Sequence, residues 1–176
     1  ETALIQNPNA PLILRNLFDR AVAAADPMET IFEHLPEKPS GKVVIIGAGK
    51  ASARMAEAVE RVWGECSGIV ITRYGYKRPC KGIEIVEAAH PVPDESGVEA
   101  TKKMLELMHG LSEDDFVLCL ISGGASALLC APSSEITLAE KQHINHSLLE
   151  SGAPIDQINI VRKHLSCLLY TSDAAD

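Results

Sequence analysis

Aromatic residues are scarce in this chain. Phe, Tyr and Trp make up 4% of 176 residues, so any core has to be built from aliphatic side chains. Positive charge is not in excess either. The formal net charge is −8, which argues against nucleic acid as the main partner. That total says little about a small anionic ligand, because the local field of a pocket outweighs it. No hydrophobic run approaches transmembrane length, so no membrane partner is expected. No signal-peptide pattern is visible, and because the chain starts on Glu1 rather than Met, further residues are expected to precede it. Cys66, Cys80, Cys119, Cys130 and Cys167 form no CxxC pair and no His/Cys cluster with ligand spacing, which argues against a zinc site. Buried, reduced thiols in a cytoplasmic protein are the expectation, with Cys119 inside an apolar strand. Internal repeats and low-complexity segments are lacking too. What is left is an ordinary globular composition, 46% hydrophobic and 23% charged, at a length that suits one domain.

The pattern along the chain is an alternation. Apolar residues at helical spacing over Pro11–Ala25 predict a first helix, and Asp26-Pro27 breaks it before a short second one over Met28–His34. Strands are expected at Val43–Gly47, Gly68–Thr72, Ile83–Ala88 and Asp115–Ile121. Helices are expected at Ala51–Trp63, Val98–His109, Leu138–Ser151 and Pro154–Leu165. Thr137 with Glu140 reads as a capping box, and Gly152 as a stop. Such alternation predicts an α/β fold of three layers: a Rossmann-like, mostly parallel sheet with helices on both faces.

The most informative stretch is KVVIIGAGKAS, Lys42–Ser52. A β-branched run enters a Gly-rich turn, and a helix starts just after a lysine. Gly47 and Gly49 allow a tight turn and a close backbone approach. The helix N-terminus would aim its N–H groups at the turn, and Lys50 adds a full charge, so an anion is the expected ligand. The spacing is not that of a P-loop, since Val44 and Ala51 stand where Gly and Ser or Thr belong. It also misses the dinucleotide fingerprint at Ser52, and Arg73 follows the next strand where a ribose-binding acid would sit. Arg73 could suit a 2′-phosphate, which keeps an NADP reading open. A tight connection with a solvated lysine is the bland alternative.

Two more segments follow strand ends. LISGGASALL, Leu120–Leu129, offers Ser122, Gly123, Gly124 and Ser126 as a possible anion nest, or as a small-residue turn chosen for packing. Ser126 is not read as a nucleophile, because Leu128 breaks GxSxG. HPVPDESG, His90–Gly97, places His90 at the carboxyl edge of the sheet, where ligands of open parallel sheets bind. His90 could equally be a hydrogen-bonded loop residue, and Asp94 or Ser96 a helix cap. Arg73, Lys77, Arg78 and Lys81 read mainly as a solvated loop. Arg162, Lys163 and His164 close the last helix and either complement its dipole or enter the site.

Taken together, these segments resemble the N-terminal part of the type 2 glycerate kinases (glycerate 2-kinases of the MOFRL class, often called hydroxypyruvate reductases). The matching stretches are GAGKAS at Gly47–Ser52, ITRYG at Ile71–Gly75, EAAHPVPDESG at Glu87–Gly97, LISGGASALL, and INIVRKHLS at Ile158–Ser166. Ala125 departs from the family, which usually has a third Gly there. The resemblance implies phosphoryl transfer from ATP, with Mg²⁺, to D-glycerate, giving 2-phosphoglycerate in an interdomain cleft. It implies Lys50 as the catalytic lysine. Gly47, Gly49, Ser52, His90, Ser122, Gly123, Gly124, Ser126, Arg162 and Lys163 are implied as substrate or phosphate contacts. On this reading the chain is an incomplete N-terminal domain, its partner a missing C-terminal domain of the same chain, and the metal ligands lie beyond the break. An NADP-dependent hydroxypyruvate reductase and a non-catalytic sugar-phosphate-binding domain are the alternatives.

After Ser166 the likeness stops. CLLYTSDAAD, Cys167–Asp176, resembles a translation of the transposon-end adapter used in sequencing libraries. The expected native segment is therefore residues 1–166. Without Asp173 and Asp176 its net charge is −6. The expected codons for the tail are TGT CTC TTA TAC ACA TCT GAC GCT GCC GAC; resequencing that finds others would make it a genuine terminus.

Overall fold

The structure, a computed structural model, describes residues 8–168. Helix α1, Ala10–Ala24, and a short α2, Pro27–Thr30, lead through one 3-10 turn, Ile31–Glu33, to the sheet. Then follow β1 (Val43–Ala48), α3 (Ser52–Trp63), β2 (Ser67–Arg73), β3 (Ile83–Ala88), α4 (Glu95–Met108) and β4 (Phe116–Ile121). Helices α5 (Ala125–Leu128), α6 (Leu138–Glu150) and α7 (Ile155–His164) complete the described chain. The expected α/β architecture is present, with boundaries within a few residues of those read from the sequence. The ten residues of the adapter-like tail lie outside the described residues except for Cys167 and Leu168.

The sheet is parallel throughout, in the order β3-β2-β1-β4. Strand β1 is central and buried at all six positions, as expected for a strand covered on both faces. Its alternate side chains feed two cores. Val43 and Ile45 pack with Ala53, Ala56 and Val59 of α3, while Val44, Ile46 and Ala48 pack with Ala100 and Met104 of α4 and Leu128 of α5. Both cores are aliphatic, with Trp63 against Phe116 as an aromatic edge contact in the first. A three-layer sandwich follows, because a period-2 strand with no polar face needs cover on both sides.

No helix connects β2 to β3. Residues 74–82 cross on the α3 side, held by carboxylates of that helix. Glu60 accepts from the backbone N–H groups of Lys81, Gly82, Ile83 and Cys66, and Glu57 pairs with Arg78. The basic loop is thus partly tied down rather than simply solvated. Thr137 and Glu140 form the expected capping box, and Asp94 caps α4 through the Gly97 N–H.

One expectation, that the thiols are buried, fails in part. Cys119 is exposed, and so is Cys167, whereas Cys66 and Cys130 are buried and Cys80 half-buried. Val117 and Cys119 share the α4-side face of β4, and the described elements leave that part of the face uncovered. Helix α1 forms where its periodicity predicts, but buries none of its residues; Leu14 and Phe18 are 65% and 64% exposed.

Asp26 links α2 to α3. Its carboxylate accepts from Arg54 and from the Met28 N–H. Arg54 is the main cause that holds this carboxyl down at about 2. A depressed carboxylate stabilises the fold above its unfolded value near 4 and loses that contribution as pH falls toward 2. The pair is partly exposed, so about 1 kcal/mol is expected. Denaturant titrations should show wild type losing this much more than Arg54→Ala between pH 5 and pH 2; parallel losses would remove the ion pair as the cause.

Candidate functional site

The strand order reverses direction between β1 and β4. Strand β1 sends its connection to one side of the sheet through α3, and β4 receives its own from α4 on the other. The carboxyl ends of these two strands therefore diverge around a crevice, the switch point where ligands of doubly wound sheets bind. Lys50 follows β1 and Ser122–Ser126 follow β4, so both Gly-rich segments open at this place.

The two turns are locked together. Lys50 N–H donates to the Gly123 carbonyl at 3.0 Å, and Ala51 N–H donates to the Ser122 hydroxyl at 3.0 Å. That hydroxyl also bonds Ser52 Oγ at 3.0 Å. Gly49 permits this approach. Its φ is +139°, and a Cβ there would run into the Ser122 hydroxyl and carbonyl. Gly47 lies within β1, where a Cβ would collide with the Leu120 backbone. The Gly47–Ser52 stretch thus differs from its sequence reading. The α3 N-terminus meets the β4–α5 turn, and Ser52 is fully buried, so its hydroxyl faces Ser122 and the interior. Ser122 is likewise engaged, as the hydroxyl that joins the turns.

The open cleft lies one turn over, around β4–α5. A cleft of about 510 Å³ is lined there by Ser122, Gly123, Gly124 and Ser126, with His90 and Pro91 on one side. Ile155, Asn159 and Arg162 line the other, spaced i, i+4, i+7 on α7. Gly124 has φ +91°, and a Cβ on it would meet His90 Nε2 at 2.8 Å and Lys50 Cε at 3.5 Å. Lys50 and His90 therefore flank the same glycine. Ala125, the departure from the Gly-rich pattern, is 5% exposed and packs with the α4-side core, so its methyl is absorbed there.

Electrostatics follow from this placement. Lys50 is exposed and is not among the residues that line the cleft, but its Cε lies beside Gly123 and Gly124, which do line it. Burial first, then the charges of Lys50, Arg73 and Arg162, push the His90 imidazole below its ordinary pKa. Arg162 is half-buried and donates through Nε to Asn145 Oδ1 at 2.9 Å. Helix α6 carries Asn145, and its Gln142 bonds the Pro93 carbonyl, so α6 steadies both sides of the cleft. Lys163 does not line the cleft. Its neighbour Arg162 does, since successive helix residues point about 100° apart. Asn159 and Ile155 escaped sequence reasoning. The signal was the i, i+4, i+7 line ending on Arg162, which becomes informative only when α7 is known to pack here. Arg73 lies with its guanidinium 4.3 Å from the Tyr76 ring centroid, close enough to act on His90. Among the described residues no three His, Cys, Asp or Glu side chains group to hold a metal ion.

Fold and cleft together define a doubly wound α/β domain with a cleft at its switch point, bordered by Arg162 and with Lys50 close by. The chain belongs to the family described as a domain of unknown function, DUF4147, which matches residues 13–169. It is 51% identical over 162 residues to a putative hydroxypyruvate reductase of Agrobacterium vitis, covering 91% of this chain and 37% of that protein. It is 43% identical over 150 residues to the D-glycerate 2-kinase of Thermotoga maritima, covering 84% of this chain and 36% of that one. A crystal structure of glycerate kinase from Thermotoga maritima superposes with a TM-score of 0.75 at 42% identity, over 84% of this chain and 36% of that one. The chain thus spans little more than a third of the length of these relatives.

The lock makes a sharp demand on Gly49. Gly49→Ala combines a positive φ with a backbone clash and is expected to cost about 2–4 kcal/mol. Gly64 has φ +75° with nothing near its missing Cβ, so Gly64→Ala is expected to cost only about 1 kcal/mol. Equal losses in chemical denaturation would show that the turns are not interlocked.

Proposed function

We propose that this chain forms one wall of the active site of a glycerate kinase. On this reading the longer protein transfers the γ-phosphoryl group of ATP to D-glycerate and releases 2-phosphoglycerate. The observation that carries the proposal is Lys50 laid beside Gly123 and Gly124, with His90 and Arg162 around the same cleft. Relatives named as glycerate kinases support it.

Phosphoryl transfer asks a protein mainly to position groups and to neutralise charge. Lys50 would stabilise the charge on the transferring phosphoryl group. The β4–α5 turn, with Gly123, Gly124 and Ser126, would hold a phosphate or the substrate carboxylate, where the absence of side chains allows close approach. Arg162, oriented by Asn145, would add a second cation from the opposite side. Gly49, Ser122 and Ser52 would serve the site by fixing the Lys50 backbone rather than by touching a ligand. ATP supplies the phosphoryl group when bound. The described residues do not fit a Mg²⁺ site of their own, since no acid cluster is present among them, and no step is assigned to that ion here. The rest of the longer protein would form the opposite wall. The 176-residue chain by itself is expected to be inactive, and Cys167–Asp176 to be dispensable. A cytoplasmic location is proposed with the same reading.

The name hydroxypyruvate reductase, borne by a relative, motivates a second reading. The lock weighs against it. A dinucleotide pyrophosphate would need the N–H groups at the α3 N-terminus, and those of Lys50 and Ala51 are already bonded to Gly123 and Ser122.

In a protein of the relatives' length, Lys50→Ala is expected to lower glycerate-dependent ADP release by about 10²–10³-fold with the fold intact by circular dichroism. No NADPH oxidation on hydroxypyruvate is expected. Undiminished phosphorylation would remove Lys50 from the site, and NADPH turnover would select the reductase.

A further inference from the structure

We propose that the cleft takes up its anion together with one proton, and that His90 accepts it. The inference rests on reading this cleft as an anion site and adds a ligand-linked ionisation to it. His90 stands against the β4–α5 turn, where a Cβ on Gly124 would meet its Nε2 at 2.8 Å and the Lys50 Cε at 3.5 Å. The imidazole and the lysine chain thus face the same point of the cleft wall.

Three cations act on this imidazole from three elements: Lys50 after β1, Arg73 at the end of β2, and Arg162 on α7. The acids of the neighbouring segments are turned to other partners. The Glu87 carboxylate accepts from the N–H groups of Gly75, Tyr76 and Lys77. Asp94 accepts from the Gly97 N–H and the Tyr74 hydroxyl. Helix α5 contributes no charged side chain. A protonated His90 would be a fourth positive charge among three, partly removed from water, and its pKa is accordingly held low. An anion seated between Lys50, Arg162 and the Gly123–Gly124 backbone offsets much of the positive field on the ring. It favours imidazolium, which then offers a further N–H donor. Linkage requires each event to strengthen the other: an anion that raises the imidazole pKa binds more tightly as pH falls. One proton passes from solvent to an imidazole nitrogen, and no other bond changes.

Inorganic sulfate is the suitable probe, because its own charge is constant across neutral pH whereas phosphate titrates there. On a protein of the relatives' length, titration calorimetry at pH 6 in two buffers of different ionisation enthalpy reads the fraction of a proton taken up. The His90 ring resonance, assigned by its loss in His90→Gln, reads the ionisation directly. Saturating sulfate is expected to raise the His90 midpoint by about one unit, with affinity rising about three- to sixfold between pH 8 and pH 6. His90→Gln is expected to bind sulfate with an affinity that does not follow pH over that range. Sulfate that binds wild type without proton uptake and without moving the His90 midpoint would overturn this inference and leave the anion reading standing. No sulfate binding at all would overturn both.

Discussion

One contact organises this molecule: the Ser122 hydroxyl, at the end of β4, accepting from Ala51 at the start of α3. Strands β1 and β4 run side by side, but their connections leave to opposite sides of the sheet, so their ends would otherwise part. The Ser122 hydroxyl, the Gly123 carbonyl and the bare Cα of Gly49 close that gap. With the two turns joined, Lys50 has one backbone direction available, and it points toward Gly124. The turn held by this closure also lines the cleft.

A helix N-terminus attracts anions through unsatisfied N–H groups, and a protein hydroxyl or carbonyl can satisfy the same groups. Here the protein uses its own Ser122 and Gly123 at α3. A positive φ at Gly124 then opens the neighbouring turn beside His90 and Lys50. Charge from Lys50, Arg73 and Arg162 converges on that turn from three elements. On the proposed reading, phosphoryl or carboxylate oxygens would meet these groups, while a dinucleotide would need the N–H groups that Ser122 and Gly123 already take.

Much of the architecture was legible because the period of the apolar residues reports burial directly. Val43–Ile46 reads as a strand covered on both faces and Thr137 with Glu140 as a helix start, and both form as read. Cys119 was misread for a tertiary reason. Alternation says which residues share a face, not whether that face is covered, and β4 stands at the edge of the described sheet. Helix α1 makes the same point, since its apolar stripe predicted the helix but not what lies against it. In the site, the sequence assembled Lys50, His90, Gly123, Gly124 and Ser126 correctly at one sheet edge. It could not separate Ser52, which is fully buried, from residues that face the cleft, nor show that Ser122 both joins the turns and lines the cleft.

The sequence by itself determined the elements, the parallel α/β class, and the small and cationic residues at the strand ends, because local periodicity, capping and glycine conformation are properties of short segments. The tertiary structure alone decided which of those residues meet. The pairing of β1 with β4 brought residues some seventy positions apart within 3.0 Å. The packing of α7 across the turn admitted Asn159 and Arg162 to the cleft and left Lys163 outside. Such choices depend on how separate elements stack, and a one-dimensional pattern carries no term for that.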